Sequence, residues 1–320
     1  MKTEKLFINS IDDISRYISL SSLLELSGYP KAGNVHRRRD FSKTRFEHFL
    51  AGIIAMQPCF QRFCERIYRE TEMSIENFSF VKLGQLYHEA SAEMMRWQKG
   101  GNVLLGHILI LSPLAASSAI SYKLNTLNLK KYRKMLDKII SDATIEDTLY
   151  LYKAIRICNP GGLGKVEKYD VNEEGVLDQL KKDNITLKRI FELSRERDLI
   201  SEEYSSNFKI IFEEGLPYFI EIFNSTKDIN VAVVDTFYKL LSNHLDSLII
   251  RKAGINKAKM VSYHAKKIID LGGISRKKGL KLALKLDDML QAKEGMMNPG
   301  TIADLVSGVI FLGLMSGIRF

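Results

Sequence analysis

Val103-Leu104-Leu105-Gly106-His107-Ile108-Leu109-Ile110-Leu111-Ser112-Pro113-Leu114-Ala115-Ala116-Ser117-Ser118-Ala119-Ile120 is the stretch on which the fold turns. It approaches the length of a membrane span, but it holds a histidine and a proline, and its serines, alanines and short apolar runs suit a helix enclosed by other helices. A second run, 302–318, has the same character and carries Asp304 near its start. Both read as fully buried central helices of a large bundle, with no membrane contact expected.

The rest of the chain supplies what would surround them. Apolar residues recur at helical spacing over 10–27, with Ser10 as N-cap, and over 44–70 and 80–98. Further helical segments are expected at 130–140, at 144–158 (opened by Thr144 and Asp147), at 173–182, 186–193, 195–212, 214–223, 231–245, 257–271 and 275–290. No sustained period-2 alternation interrupts this pattern and no repeat of 20 to 50 residues is present. The expectation is an all-α, single-domain multi-helix bundle over 1–320 with two strongly apolar central helices.

Composition narrows the class of partner. Of 320 residues, 45% are hydrophobic and 27% charged, a globular composition with ample core. Lys and Arg number 47 against 38 Asp and Glu, and the resulting charge of +9 favours polyanionic partners without choosing among them. Three cysteines without CxxC spacing argue for reduced thiols and a cytoplasmic protein, and against a zinc site. Met1-Lys2-Thr3-Glu4-Lys5 leads into a polar amphipathic segment, so no signal peptide is expected.

Function is carried by the breaks between helices. Five of them place glycine beside asparagine, proline or a cation: Lys31 to Asn34, Gly100 to Asn102, Asn159 to Lys165, Arg251 to Gly254 and Asn298 to Thr301. Three glycines in Asn159-Pro160-Gly161-Gly162-Leu163-Gly164-Lys165 open the backbone to close approach of a ligand, although the same residues also punctuate an ordinary helix end. Where an apolar helix starts just after the glycine, its free N–H groups and positive dipole end suit a phosphate. The spacing is not that of a Walker A loop, and no strand precedes it as a Rossmann loop requires. Asp40, Glu167, Asp170, Asp246 and Asp304 recur near these breaks, a set able to bind Mg²⁺ on a polyphosphate or to accept a proton. Asp304 also fits a plain dipole partner of its helix, and Asp246 with Arg251 a plain ion pair. Of the histidines only His36, in the first break, is a functional candidate.

In order, Pro30-Lys31-Ala32-Gly33-Asn34-Val35-His36 with Asp40-Phe41, Gly101-Asn102 with Gly106, Asn159-Pro160-Gly161-Gly162-Leu163-Gly164 with Asp170-Val171, Asp246 with Arg251-Lys252 and Gly254, and Asn298-Pro299-Gly300-Thr301 with Ala303-Asp304-Leu305 resemble the triphosphoribosyl-dephospho-CoA synthase family. The resemblance runs over nearly the whole chain. It implies an all-α transferase that takes ATP and 3′-dephospho-CoA, expels adenine, and joins the triphosphoribosyl group to a ribose 2′-hydroxyl. Substitution at an anomeric carbon needs a clamped triphosphate, an oriented hydroxyl and a proton acceptor. On that reading Lys31, Gly33, Asn34, His36, Asn102, Gly161, Gly162, Gly164, Arg251, Asn298, Gly300 and Thr301 hold substrate, Asp246 and Asp304 hold Mg²⁺ or the ribose, and Asp40 or Asp170 is the base.

The chain departs from the family pattern at Ala32, where proline is usual, at Val103-Leu104, at Ile302, and at Arg251-Lys252-Ala253-Gly254 in place of Arg-Gly-Gly. These departures point to a divergent branch and leave a different alcohol acceptor open. A basic helical module binding nucleic acid would need cations interleaved with exposed aromatics; residues 275–290 offer lysines alone, so nucleic acid is not expected.

Overall fold

Ser10, Asn128, Thr144, Thr186, Asp198, Asp228 and Asp246 stand at the N-caps of seven helices. The computed structural model describes residues 5–320, so the expectation for the first four residues lies outside the described residues. Fifteen α-helices follow one another with a 3-10 turn at Ser79–Val81 and a π-helical segment at Ile210–Gly215, and no strand occurs among the described residues beyond two isolated bridges. The first six are α1 (Ile11–Ser27), α2 (Phe46–Glu70), α3 (Leu83–Trp97), α4 (Leu105–Lys123), α5 (Leu129–Asp142) and α6 (Ile145–Cys158). Shorter helices α7 (Val176–Lys182), α8 (Leu187–Ser194) and α9 (Leu199–Ser205) lead into α10 (Leu216–Thr226) and α11 (Ile229–Asn243). The chain closes with α12 (Ser247–Ala253), α13 (Ile255–Asp270), α14 (Lys277–Gln291) and α15 (Gly300–Met315). Ser10 caps α1 through Asp13 N–H, and Thr144 with Asp147 forms the capping box of α6, as their spacing predicts.

The two apolar runs form α4 and α15, buried on nearly every side and packed on each other. Among the described residues α4 is the one helix long and apolar enough to cross a membrane, but α1, α2, α3 and α5 pack around it. Its Ser112 and Ser118 hydroxyls donate to the carbonyls of Ile108 and Leu114, so polar side chains sit in the core without water. Gly308 permits the close crossing: a Cβ there would lie 2.7 Å from Ile110 Cγ2 and 2.8 Å from Ile211 Cδ1.

One expectation is corrected. Residues 195–212 do not form a single helix but break after Ser205. Asn207 and Phe208 adopt left-handed φ of 55° and 56°, and the buried Glu203 carboxylate accepts the N–H groups of Ile210 (2.8 Å) and Ile211 (3.0 Å). A side chain thus replaces the lost helical carbonyls and restarts the chain as the π-helical segment.

Candidate active site

The first break is built from the inside. Gly33 has φ of 75°, and its N–H donates to Asp287 Oδ1 (3.0 Å), while His36 Nε2 meets Asp287 Oδ2 at 3.0 Å. Gln291 donates to the Asn34 carbonyl (2.6 Å), and the Tyr238 hydroxyl donates to the Pro30 carbonyl (3.0 Å). α11 and α14 therefore hold residues 30–36 as a rigid buttress. His36 is fully buried and its Nδ1 accepts from Arg38 N–H (3.3 Å), so neither ring nitrogen remains for a ligand. The expectation that His36 binds substrate is corrected to a role in shaping the loop.

The buttress positions Lys31. Its ammonium, 1% exposed, bonds the Glu25 carboxylate and donates to the Glu25 carbonyl (2.7 Å). The other oxygen of Glu25 lies 3.3 Å from His107 Nε2, and His107 Nε2 lies 3.7 Å from Asp304 Oδ1. A connected line of titratable side chains, Glu25, Lys31, His107 and Asp304, thus joins α1, the first break, α4 and α15. Burial lowers Lys31 to about 7, against the charge of Asp304, and its side chain is bonded to the Glu25 carboxylate. His107 is pushed down to about 4 by burial and is neutral at pH 7, with its Nδ1 buried and unpartnered. Asp304 is raised to about 7, chiefly by burial and then by its acidic neighbours Asp246 and Asp198 against His107 and Lys31. Unlike the other three side chains it is 21% exposed and can meet a substrate.

Helix starts surround this carboxylate. Gly106 in the first turn of α4 lies so near that a Cβ would land on the Asp304 carboxylate. Asp246 caps α12 through Ile249 N–H (2.9 Å) and α15 through Ile302 N–H (2.8 Å), joining the two helix starts with one side chain. Asp198 caps α9 through Ser201 N–H (3.0 Å) and also accepts from Ser247 Oγ (3.2 Å) and Arg251 (2.8 Å). Thr301 Oγ1 donates in turn to Ser247 Oγ, 3.0 Å away. The positive ends of α4, α9, α12 and α15 therefore meet at one place, an arrangement suited to a polyanion.

The remaining breaks close on the same region. The ideal Cβ of Gly162 lies 3.2 Å from Arg251 Cβ and that of Gly161 3.2 Å from Lys252 Cε, so the three-glycine loop lies over the end of α12. Lys252 reaches the Gly295 carbonyl (3.3 Å), and the Gly300 position faces Leu248. Asn298 Oδ1 is buried and unpartnered, whereas Asn102 Oδ1 accepts Leu105 N–H at the start of α4 (3.1 Å). Gly164 has φ of 65° and open space around it.

Two further carboxylates cap backbone. Asp40 is exposed and accepts Phe46 N–H (2.7 Å), and Asp170 accepts Val166 N–H (3.1 Å) and Asn172 N–H (2.9 Å). The backbone N–H of Asn172, followed by that of Val166, lowers Asp170 below the ordinary carboxylate range. Asp170, held in its charged form by these caps, is a weak proton acceptor, and Asp40 is occupied by the first N–H of α2, so this geometry places neither as the base. Asp246 is likewise corrected as a metal ligand: it is fully buried, and each oxygen is taken by a helix N–H. Among the described residues no three His, Cys, Asp or Glu are grouped to hold a metal.

Comparison with known proteins supplies the family. Residues 11–319 match the CitG family, described as ATP:dephospho-CoA triphosphoribosyl transferase. The chain belongs to this triphosphoribosyl transferase family. A solved structure from Archaeoglobus fulgidus, provisionally described as a triphosphoribosyl-dephospho-CoA synthase, superposes with a TM-score of 0.63 at 27% identity, covering 84% of this chain and 100% of that one. The 2-(5''-triphosphoribosyl)-3'-dephosphocoenzyme-A synthase of Klebsiella pneumoniae is 27% identical over 110 residues, 34% of this chain and 36% of its own. A protein of Acinetobacter calcoaceticus, described as a probable synthase of the same name, is 26% identical over 111 residues, 35% of this chain and 37% of its own. The matched stretch thus spans little more than a third of these two relatives.

Sequence reading of this transferase-family chain missed Glu25, His107 and Asp198. A signal existed for the first: Ile14, Ile18, Ser21 and Glu25 fall on one buried stripe of α1, where a charge must have a partner. His107 carried the same signal inside the apolar run. The departures at Val103 and Leu104 turn out to be packing positions, since a Cβ at Gly52 of α2 would lie 3.3 Å and 2.9 Å from their side chains.

Proposed function

We propose that this chain transfers the triphosphoribosyl group of ATP to an alcohol acceptor of the 3′-dephospho-CoA type, in the cytoplasm, releasing adenine. The observation that carries the reading is Asp304: a partly open carboxyl at about 7 where four helix starts meet. A proton acceptor works best when its pKa lies near the working pH. The helix starts, Arg251, Lys252 and the glycine loop hold the triphosphate, and Lys31 stands behind Asp304. The acceptor oxygen bonds to the ribose C1′ while the C1′–N9 bond breaks and its electron pair leaves with adenine. The hydroxyl proton passes to Asp304, and net of the cycle one proton leaves on adenine. Mg²⁺ belongs to the ATP substrate; the protein offers it too few free carboxylates to be held alone, and no step is assigned to it.

Adenine released from MgATP, measured by chromatography with and without 3′-dephospho-CoA, tests the reading. Acceptor-dependent release that disappears in Asp304→Asn supports it. Release that persists in Asp304→Asn removes Asp304 as the base, and no release with any tested alcohol rejects the transfer.

A further inference from the structure

Charge is distributed very unevenly over this chain. Residues 255–285 carry nine lysines and arginines against the single Asp270, a net of +8 where the whole chain has +9. All nine are exposed on α13, α14 and the turn between them, and none enters any ion pair of the described residues. α13 and α14 pack side by side, and His264 on α13 lies in the field of both Lys267 and Lys285.

The cations form rows. Lys259, Tyr263 and Lys267 follow at four-residue steps on the exposed face of α13, and Lys277, Lys281 and Lys285 do the same on α14. Four residues of helix rise about 6 Å, so each row presents regularly spaced charges. Tyr263 is 57% exposed and sits among them, with Lys267 Nζ 4.4 Å from its ring centroid. The apolar faces of both helices, including Val261, Ile268, Ala283 and Leu286, are buried in the core. Neither helix can therefore lay an apolar face into a bilayer, and the exposed Ile255 and Leu271 lie at opposite ends of α13. Evenly spaced lysines match phosphates, and an exposed tyrosine between them adds a stacking surface that bases use and lipid headgroups do not.

We propose that the exposed face of the α13–α14 hairpin binds single-stranded nucleic acid through its phosphates, with Tyr263 stacked on a base. The rows lie outside the Asp304 cluster, so this proposal stands independently of the transferase reading. The interleaving that α14 lacks by itself is completed by α13.

Fluorescence anisotropy of a labelled oligouridine of about 12 nucleotides, titrated with the full chain at several salt concentrations, provides the test. Lys277→Gln/Lys281→Gln/Lys285→Gln is expected to weaken binding and flatten the log–log salt slope by about 0.7 per lysine, about 2 in all. Tyr263→Ala should weaken binding about tenfold with the slope kept. Both variants should release adenine at the wild-type rate. Absence of binding at about 50 mM salt, or equal binding by either variant, overturns the proposal. So does capture by phosphatidylglycerol vesicles without oligouridine binding, which would assign the face to a membrane surface.

Discussion

Replacing Asp304 with asparagine should inactivate the protein and stabilise it at the same time. A carboxyl raised from 3.8 to about 7 stays protonated in the folded state while the unfolded chain ionises, so folding stability falls as pH rises between those values and levels off above about 7. Each pKa unit corresponds to about 1.4 kcal/mol, and the span from pH 5 to 7 would cost about 3 kcal/mol in full burial. With a fifth of the side chain open, about 2 kcal/mol is the better figure. Asparagine resembles the protonated carboxyl and escapes this loss. The melting temperature of Asp304→Asn relative to wild type should therefore gain about 3 °C between pH 5 and pH 8 by calorimetry. The same measurement separates the base from an ordinary helix-dipole carboxylate, which would be lowered and would give the opposite slope. A gap independent of pH, or one that narrows as pH rises, refutes the protonation argument whatever the activity shows.

Three further outcomes follow from the geometry. Gly106→Ala should keep its helix, where alanine is favoured by about 1 kcal/mol, yet lower adenine release at least tenfold by displacing the Asp304 carboxylate; unchanged release would separate the two residues. Glu25→Ala leaves the Lys31 ammonium buried without its carboxylate, and urea unfolding should report a loss of about 3–5 kcal/mol, whereas an effect below about 1 kcal/mol would mean that Lys31 is neutral or solvated. Gly308→Val forces side-chain atoms between α4 and α15, and a destabilisation of about 1–3 kcal/mol or more is expected; a neutral result would show the crossing to be loose.

Helix content and the burial of α4 and α15 were legible because periodicity and capping are local: the apolar residues of 302–318 and the Thr144–Asp147 box need no tertiary information. Asn207 and Phe208 broke a predicted helix because the buried Glu203 competes for its N–H groups, which no local pattern reports. In the site, Lys31, Arg251, the glycine loop and Asp304 were singled out from their breaks, Asp304 as a ligand of Mg²⁺ or the ribose, and the structure brings Lys31 and Asp304 to one cluster. Asp40 and Asp170, expected as bases, accept backbone N–H groups in the structure, a role their residue type and spacing do not distinguish from meeting substrate. Glu25 and His107 were passed over because the contacts that join Glu25 to His107 and His107 to Asp304 link distant parts of the chain.

The sequence by itself determined that the chain is helical, where most helices begin and end, and that its glycine-bearing breaks are the places to look for chemistry. These are properties of neighbouring residues, set by backbone entropy, capping and the period of the helix. Only the tertiary structure decided that Glu25, Lys31, His107 and Asp304 share one buried line, because removing charges from water raises or lowers their protonation according to whatever the packing brings beside them.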